Sequence, residues 1–171
     1  MMHYLENSGT TLEVNLKWMI MNSEGARQHY HSELNDAMAW VEQFTVLNNF
    51  KTFRIVGTWT SGQNDPNDSE NWFYAVGGYS GVGSASVKVL LNCDYEMQFT
   101  FNFSDRYNWD IGKSATILGQ TVRDQELGRL HKVGFAQEFD MIGSDTVTVI
   151  WQKGQRFDTK GQLTPDGRTG R

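Results

Sequence analysis

Asp105, Arg106, Tyr107, Asn108, Asp110 and Lys113 crowd the short stretch FNFSDRYNWDIGKSA, with Trp109 among them. Acids, bases and amides at the exit of an alternating strand are costly to bury and unnecessary for solubility. They either pair into a structural corner or do chemistry. In the structural reading, Asp105 pairs Arg106 or Lys113 while Trp109 covers a sheet edge. In the chemical reading, Asp105 and Asp110 hold a divalent cation or move a proton, and a basic group meets an anion. All-oxygen ligands of this kind suit magnesium or calcium better than zinc.

The other reactive side chains are more scattered. His3 precedes any regular structure, and His29 and His31 flank Tyr30, so they cannot share one helix face as a metal pair. His131 sits between Leu130 and Lys132, where it either edges the core or serves as an acid or base. GGYSGVG lacks the Lys-Ser/Thr of a phosphate-binding loop and has the wrong order for a nucleophile elbow. The aromatic residues Trp59, Trp72, Phe73, Tyr74 and Tyr79 read as core or as a sugar or lipid platform.

These groups need a frame. The chain has 171 residues, enough for one core, and 13% of them are aromatic, which favours pleated sheet over a helical bundle. A net charge of −5 argues against nucleic acid as a partner. The single Cys93 excludes an intrachain disulfide and a cysteine metal cage. No apolar run reaches the length of a spanning helix, and MMHYLENSG lacks the pattern of a signal peptide.

LEVNLKWMIMN suits a short helix. From Ser23, the expected N-cap, Tyr30, Leu34, Ala37, Met38, Val41 and Phe44 recur at spacings of three and four, predicting a helix of about five turns. KTFRIVGTW then alternates as a strand, and SGQNDPNDSEN has the composition of an exposed, mobile loop. Trp72 to Val76, Ser84 to Leu91 and Tyr95 to Phe103 read as strands of an antiparallel meander, with glycines 77, 78, 81 and 83 at a bend or bulge. TVRDQELGRLHKVG returns to helix, with Thr121 and Asp124 at capping-box spacing and Gly134 as terminator. FAQEFDMIGSDTVTVIWQKG predicts two strands joined at Gly143-Ser144-Asp145, and the segment from 155 to 171 a polar, frayed or partner-ordered tail.

The two ends of this pattern resemble a known family. HYLENSGTTLEVNL at His3 to Leu16 is similar to the opening of the activity domain of colicin M-like toxins, and SDRYNWD at Ser104 to Asp110 to their catalytic segment. LGRLHKVGFAQEFDMIG, with its Glu138-Phe139 pair, and TVTVIWQKG follow in the family's order. The resemblance implies an α+β fold: a curved, half-barrel-like antiparallel sheet, an N-terminal helix pair and a short helix before the last strands, filling residues 1–154. It implies a toxin, secreted or injected, that acts in the periplasm of the target bacterium. There the family hydrolyses lipid II, a polyprenyl-pyrophosphate-linked peptidoglycan precursor, with a divalent cation. A cognate immunity protein is the implied second partner.

Carried over residue by residue, Asp105 matches the family's first aspartate and Tyr107 its tyrosine, while Asn108 stands where a second aspartate is expected. The family's His-Arg pair is missing near Ile111 to Ser114, where Lys113 is the cation present. An amide is no general base. Asp110, two residues on, would replace the lost acid and hold the metal with Asp105, Lys113 would neutralise pyrophosphate, and His131 would replace the lost histidine. The departures equally allow a non-catalytic module of the same fold that binds a lipid-linked glycan or a protein.

Overall fold

The computed structural model describes residues 2–48, 51–108, 114–117 and 120–165. In chain order these form α1 (Met2–Leu5), β1 (Leu12–Glu13), α2 (Leu16–Asn22), α3 (Glu24–Asn48), β2 (Thr52–Val56), β3 (Thr60–Gln63), α4 (Glu70–Ala75), β4 (Gly78–Val89) and β5 (Tyr95–Tyr107). After these come β6 (Ser114–Ile117), β7 (Gln120–Arg123), α5 (Asp124–Lys132), β8 (Phe139–Trp151), β9 (Gln155–Phe157) and β10 (Leu163–Pro165). The main sheet runs β1-β8-β5-β4-β2, with β3 also on β4. Its pairings are antiparallel except for β1 on β8. The architecture is therefore α+β, around a large, mostly antiparallel sheet that does not close into a barrel, with helices at the N-terminus.

Helix α3 crosses the buried face of the sheet. It is longer than its apolar spacing alone predicts, with 25 residues, and buries Ala26, Tyr30, Leu34, Met38 and Val41 at steps of three and four. Against it stand Tyr95, Met97, Phe99, Phe101 and Phe103 of β5, every second residue of the strand. Tyr30 meets Phe99 and Phe101 edge-on, with ring centroids 5.9 and 5.7 Å apart.

Those rings explain the glycines of β4. Gly81 and Gly83 make no bend; they lie inside an unbroken ladder opposite Phe103 and Phe101. A Cβ at Gly81 would stand 2.5 Å from the Phe101 ring, and one at Gly83 2.6 Å from the Phe99 ring. Glycine is here a packing requirement.

Several expected elements differ from those observed. Trp72 to Val76 is not a strand, because α4 covers it. A helical turn brings Trp72 and Val76 together onto the core while Tyr74 points to solvent, whereas a strand would put all three on one face. Thr121 is in β7 and cannot cap α5, which begins at Asp124. The turn expected at Gly143-Ser144-Asp145 does not exist, since β8 passes through it and pairs with β5 from Phe139 to Trp151. Gly143 is needed because the Val14 carbonyl would lie 2.7 Å from a Cβ there.

The stretch expected to be an exposed loop holds Asn64, which is fully buried. Asn64 accepts a 2.7 Å hydrogen bond from the Ser23 hydroxyl, which itself accepts from the Ala26 N–H. Asp68 accepts from the Glu24 N–H. These two acceptors, Asp68 and Ser23, take the Glu24 and Ala26 N–H groups of the first turn of α3, so Ser23 is the N-cap that the sequence suggests.

Of the segment expected to be a loose tail, residues 155–165 form a β9–β10 hairpin docked on α3, and residues 166–171 lie outside the described residues. Asn35 exchanges hydrogen bonds of 2.9 and 2.8 Å with the backbone of Phe157. Glu42, only 8% exposed, accepts from Arg156 Nη1 at 2.7 Å, Trp151 Nε1 at 2.9 Å and the Gly154 N–H at 3.1 Å. Removing this acceptor leaves the buried Trp151 Nε1–H without a partner and takes from the part-buried Arg156 guanidinium and Gly154 N–H the acceptor they share. Glu42→Ala is expected to destabilise the fold by about 3 kcal/mol in urea unfolding. A loss under about 1 kcal/mol would show that the hairpin is held by something else.

Candidate functional site

The alternation that buries the β5 phenylalanines continues past Phe103. It places Asp105 and Tyr107 on the same face, opposite Met141 and Phe139 of β8, and turns Arg106 to the other side. Asp105 is therefore the first carboxyl at the end of an apolar row. Burial pushes its pKa up to about 6, a rise that a hydrogen bond from the Arg106 backbone partly offsets. Among the described residues no cation pairs with it.

The expected Asp105–Arg106 pair is thus absent, because neighbours in a strand face opposite ways. Arg106, half exposed, instead reaches across the sheet to Asp140 at 3.0 Å and to Glu138 at 3.6 Å.

Aromatic rings cover this end of β5. Tyr107 stacks on Phe139 with centroids 4.9 Å apart, and Tyr4 tilts against Tyr107 at 5.9 Å. His3 meets Phe139 edge-on at 4.5 Å, while its Nε2 bonds the Thr10 carbonyl at 2.9 Å and its Nδ1 lies 3.4 Å from Glu6. Tyr4 is fully buried. Its hydroxyl pKa is raised by desolvation and then by the Glu138 carboxylate, with the His131 backbone pulling it back. The N-terminal turn is held there by the Gln137 N–H on the Tyr4 carbonyl at 3.1 Å and by Asn7 Nδ2 on the Gly134 carbonyl at 2.8 Å.

The structure brings Asp105 and Tyr107 together, and sets Asn108 exposed just beyond the strand. His131 is exposed on α5, and its Nδ1 accepts the Glu138 N–H at 3.4 Å, which leaves the proton of a neutral ring on Nε2. It joins the site through Glu138 and Tyr4. Asp110 and Lys113 lie outside the described residues. Among the described residues no three ligand-type side chains converge as a metal centre. Asp105 offers one oxygen donor group, so no cation site is complete among the described residues.

Tyr4 and Glu138 line this site, although only their places in HYL and in the acidic-aromatic pair hinted at them. Nothing in local spacing brings Tyr4 to Tyr107.

No family model matches the sequence, and no curated protein matches it. Solved structures do. PaeM, a colicin M-like bacteriocin produced by Pseudomonas aeruginosa, is similar with a TM-score of 0.52 and 12% identity, over 88% of this chain and 49% of that one. The fold is that of a colicin M-like bacteriocin. Two structures of pectocin M2 match with TM-scores of 0.37 and 0.40 at 13% and 14% identity, over 88% of this chain and 47% and 52% of those chains. The chain spans about half the length of these proteins. At such identities the likeness with PaeM concerns the fold alone.

A pKa raised from the ordinary 3.8 to about 6 has a definite sign in stability. Folding disfavours the ionised form, so the stability is fully present below about pH 4 and falls as pH rises through about 6. Asp105→Asn is expected to be more stable than the parent at pH 8, by about 1 kcal/mol after allowance for solvent around a half-buried group. It should match the parent at pH 4. Thermal unfolding at the two pH values checks this, and an equal difference at both would refute the assignment of the raised pKa.

Proposed function

We propose that the chain is a bacterial antagonism toxin domain that hydrolyses lipid II or a related polyprenyl-linked precursor of peptidoglycan, in the periplasm of a target cell. The observation that carries the reading is Asp105. It is a carboxyl on the buried face of β5, at the open end of an apolar row in a colicin M-like fold, with a proton affinity near neutrality. A carboxylate of that basicity removes a proton from water better than an exposed aspartate does.

In this reading Asp105 takes a proton from a water as its oxygen attacks the phosphorus next to the prenyl chain. The prenyl oxygen leaves as an alcohol with a proton from solvent, the pyrophosphate stays on the sugar, and His131 stands in for the histidine that the family motif has lost. Tyr107 and Asn108 orient the substrate, and Lys113 meets the charge that develops on pyrophosphate. Magnesium or calcium on Asp105 and Asp110 belongs to the same proposal, as does a cognate immunity protein in the producing cell. A second reading, a non-catalytic module that binds a lipid-linked glycan or a protein, is favoured by the exposed amide of Asn108 where the family has an acid.

Incubation of the purified protein with labelled lipid II, with magnesium, with calcium and with chelator, separates the two. Release of free polyprenol that needs a cation, and that disappears in folded Asp105→Ala protein, supports hydrolysis. Intact lipid II under every condition leaves the binding reading. If Asp105 is the base, kcat/KM should rise with pH through about 6 and level off above it. A rate that falls across that window would assign Asp105 the role of an acid instead.

A further inference from the structure

A cleft of about 450 Å³ opens between α3 and the β2–β4 side of the sheet. Phe99 lines it, so it lies roughly 20 Å along β5 from Asp105. Ala37 and Trp40 of α3 and Ile55 of β2 supply more of its apolar wall, while Glu33 and Asp36 supply its charge from the same face of α3.

Arg54 does not balance these acids. It stands opposite Ser86 in the β2–β4 ladder, whereas Phe53 and Ile55 stand opposite the buried Val87 and Ala85. Alternation therefore sends the Arg54 side chain to the far face of the sheet. Among the described residues the ion pairs of arginine go to Glu24, Glu42, Glu138 and Asp140, and none goes to Glu33 or Asp36.

Glu33 is nonetheless well buried, with its side chain 13% exposed. Its Oε1 accepts from the Thr60 hydroxyl at 2.7 Å, and that hydroxyl lies 2.7 Å from His29 Nε2. His29 Nε2 itself is 3.9 Å from Oε1, beyond hydrogen-bond reach. Burial lowers the His29 pKa against the opposing pull of Glu33, so the ring is neutral and gives Thr60 an N–H without giving Glu33 a counter-charge.

The second oxygen, Glu33 Oε2, has no hydrogen bond among the described residues. It lies 3.8 and 3.7 Å from where a Cβ of Gly57 or Gly83 would stand, and Phe99 keeps Gly83 from acquiring one. The space before Oε2 therefore stays open. A buried carboxylate held only by neutral donors is costly, and the cleft is where the missing positive charge can enter.

We propose that this cleft binds an alkylammonium group, carried by a lysine side chain or by a free diamine. The ammonium donates to Glu33 Oε2, the alkyl stem runs along Ala37 and Ile55 to the Trp40 ring, and Asp36 adds attraction at the mouth. The groups present select this class. A guanidinium pairs best with two oxygens, and Thr60 already occupies Oε1. A metal ion needs about six oxygen ligands, which apolar walls do not supply. A phosphate would meet two carboxylates, and a neutral ligand would leave the charge of Glu33 uncompensated. The proposal does not rest on hydrolysis at Asp105.

Saturation-transfer NMR on the intact chain tests it, with cadaverine and Nα-acetyl-lysine methylamide as probes and with agmatine, N-acetylglucosamine and inorganic phosphate as competitors. Saturation of methylene protons is expected, and the tighter of the two amines tells a site for a free diamine from one for lysine in a peptide. Affinity should fall about tenfold in Glu33→Gln, which keeps an acceptor for Thr60 and removes the charge, and about fivefold in Trp40→Ala. Trp40 is 48% exposed, so its removal tests the contact without disturbing the core. Binding should weaken with added salt and be unchanged in Arg54→Ala and in Asp105→Ala. The proposal is overturned by the absence of transfer to both amines or by an affinity unchanged in folded Glu33→Gln or Trp40→Ala protein. Tighter binding of agmatine, N-acetylglucosamine or phosphate than of either amine would overturn it as well.

Discussion

The fold depends on room for three phenylalanine rings. Phe99, Phe101 and Phe103 project from one face of β5 into the space under α3, and each is essentially inaccessible to solvent. Rings of that size fit between a helix and a sheet only where the neighbouring strand gives way, and Gly81 and Gly83 of β4 give way at the places required. Filling these glycines would force either the rings or the β4–β5 ladder to move, and interiors at crystal-like density tolerate neither. The unbroken register from Val89↔Tyr95 to Ser80↔Ser104 is the result.

That register also decides the chemistry. A strand whose odd-numbered residues are locked inward by aromatic packing has no freedom to turn Asp105 outward, because a slip of one residue would expose the whole row. The carboxyl is thereby desolvated and Arg106 is sent to the opposite face, where Asp140 and Glu138 receive it. Proton affinity at the site is a consequence of core packing several residues away.

Elements whose cause is local were legible in the sequence. The three-and-four spacing along α3, the Ser23 cap, the alternation of β5 and Gly134 past the end of α5, with φ of +78°, are all set by near neighbours. The misreadings have distant causes. Gly143 looked like a turn because nothing nearby reveals that the Val14 carbonyl packs on it. The segment after 154 looked loose because its anchor, Glu42, lies on α3. The cluster at 105–113 was visible from its density alone, but density could not separate the inward Asp105 from the outward Arg106. Only the parity fixed at Phe103 does so.

Tyr4 completes this logic. It is fully buried, yet belongs to a helix of four residues that could not persist by itself. Its place is fixed by the Gln137 and Asn7 hydrogen bonds to the α5–β8 connection and by contact with Tyr107, itself stacked on Phe139. The cover over the open end of β5 is therefore assembled from segments more than a hundred residues apart, and it forms only once the sheet has brought β5 and β8 together. Asp105 can be desolvated only in that finished state. In an unfolded or partly folded chain it is an ordinary, solvated carboxylate, so its raised proton affinity is a property of the completed tertiary structure and not of the motif that contains it.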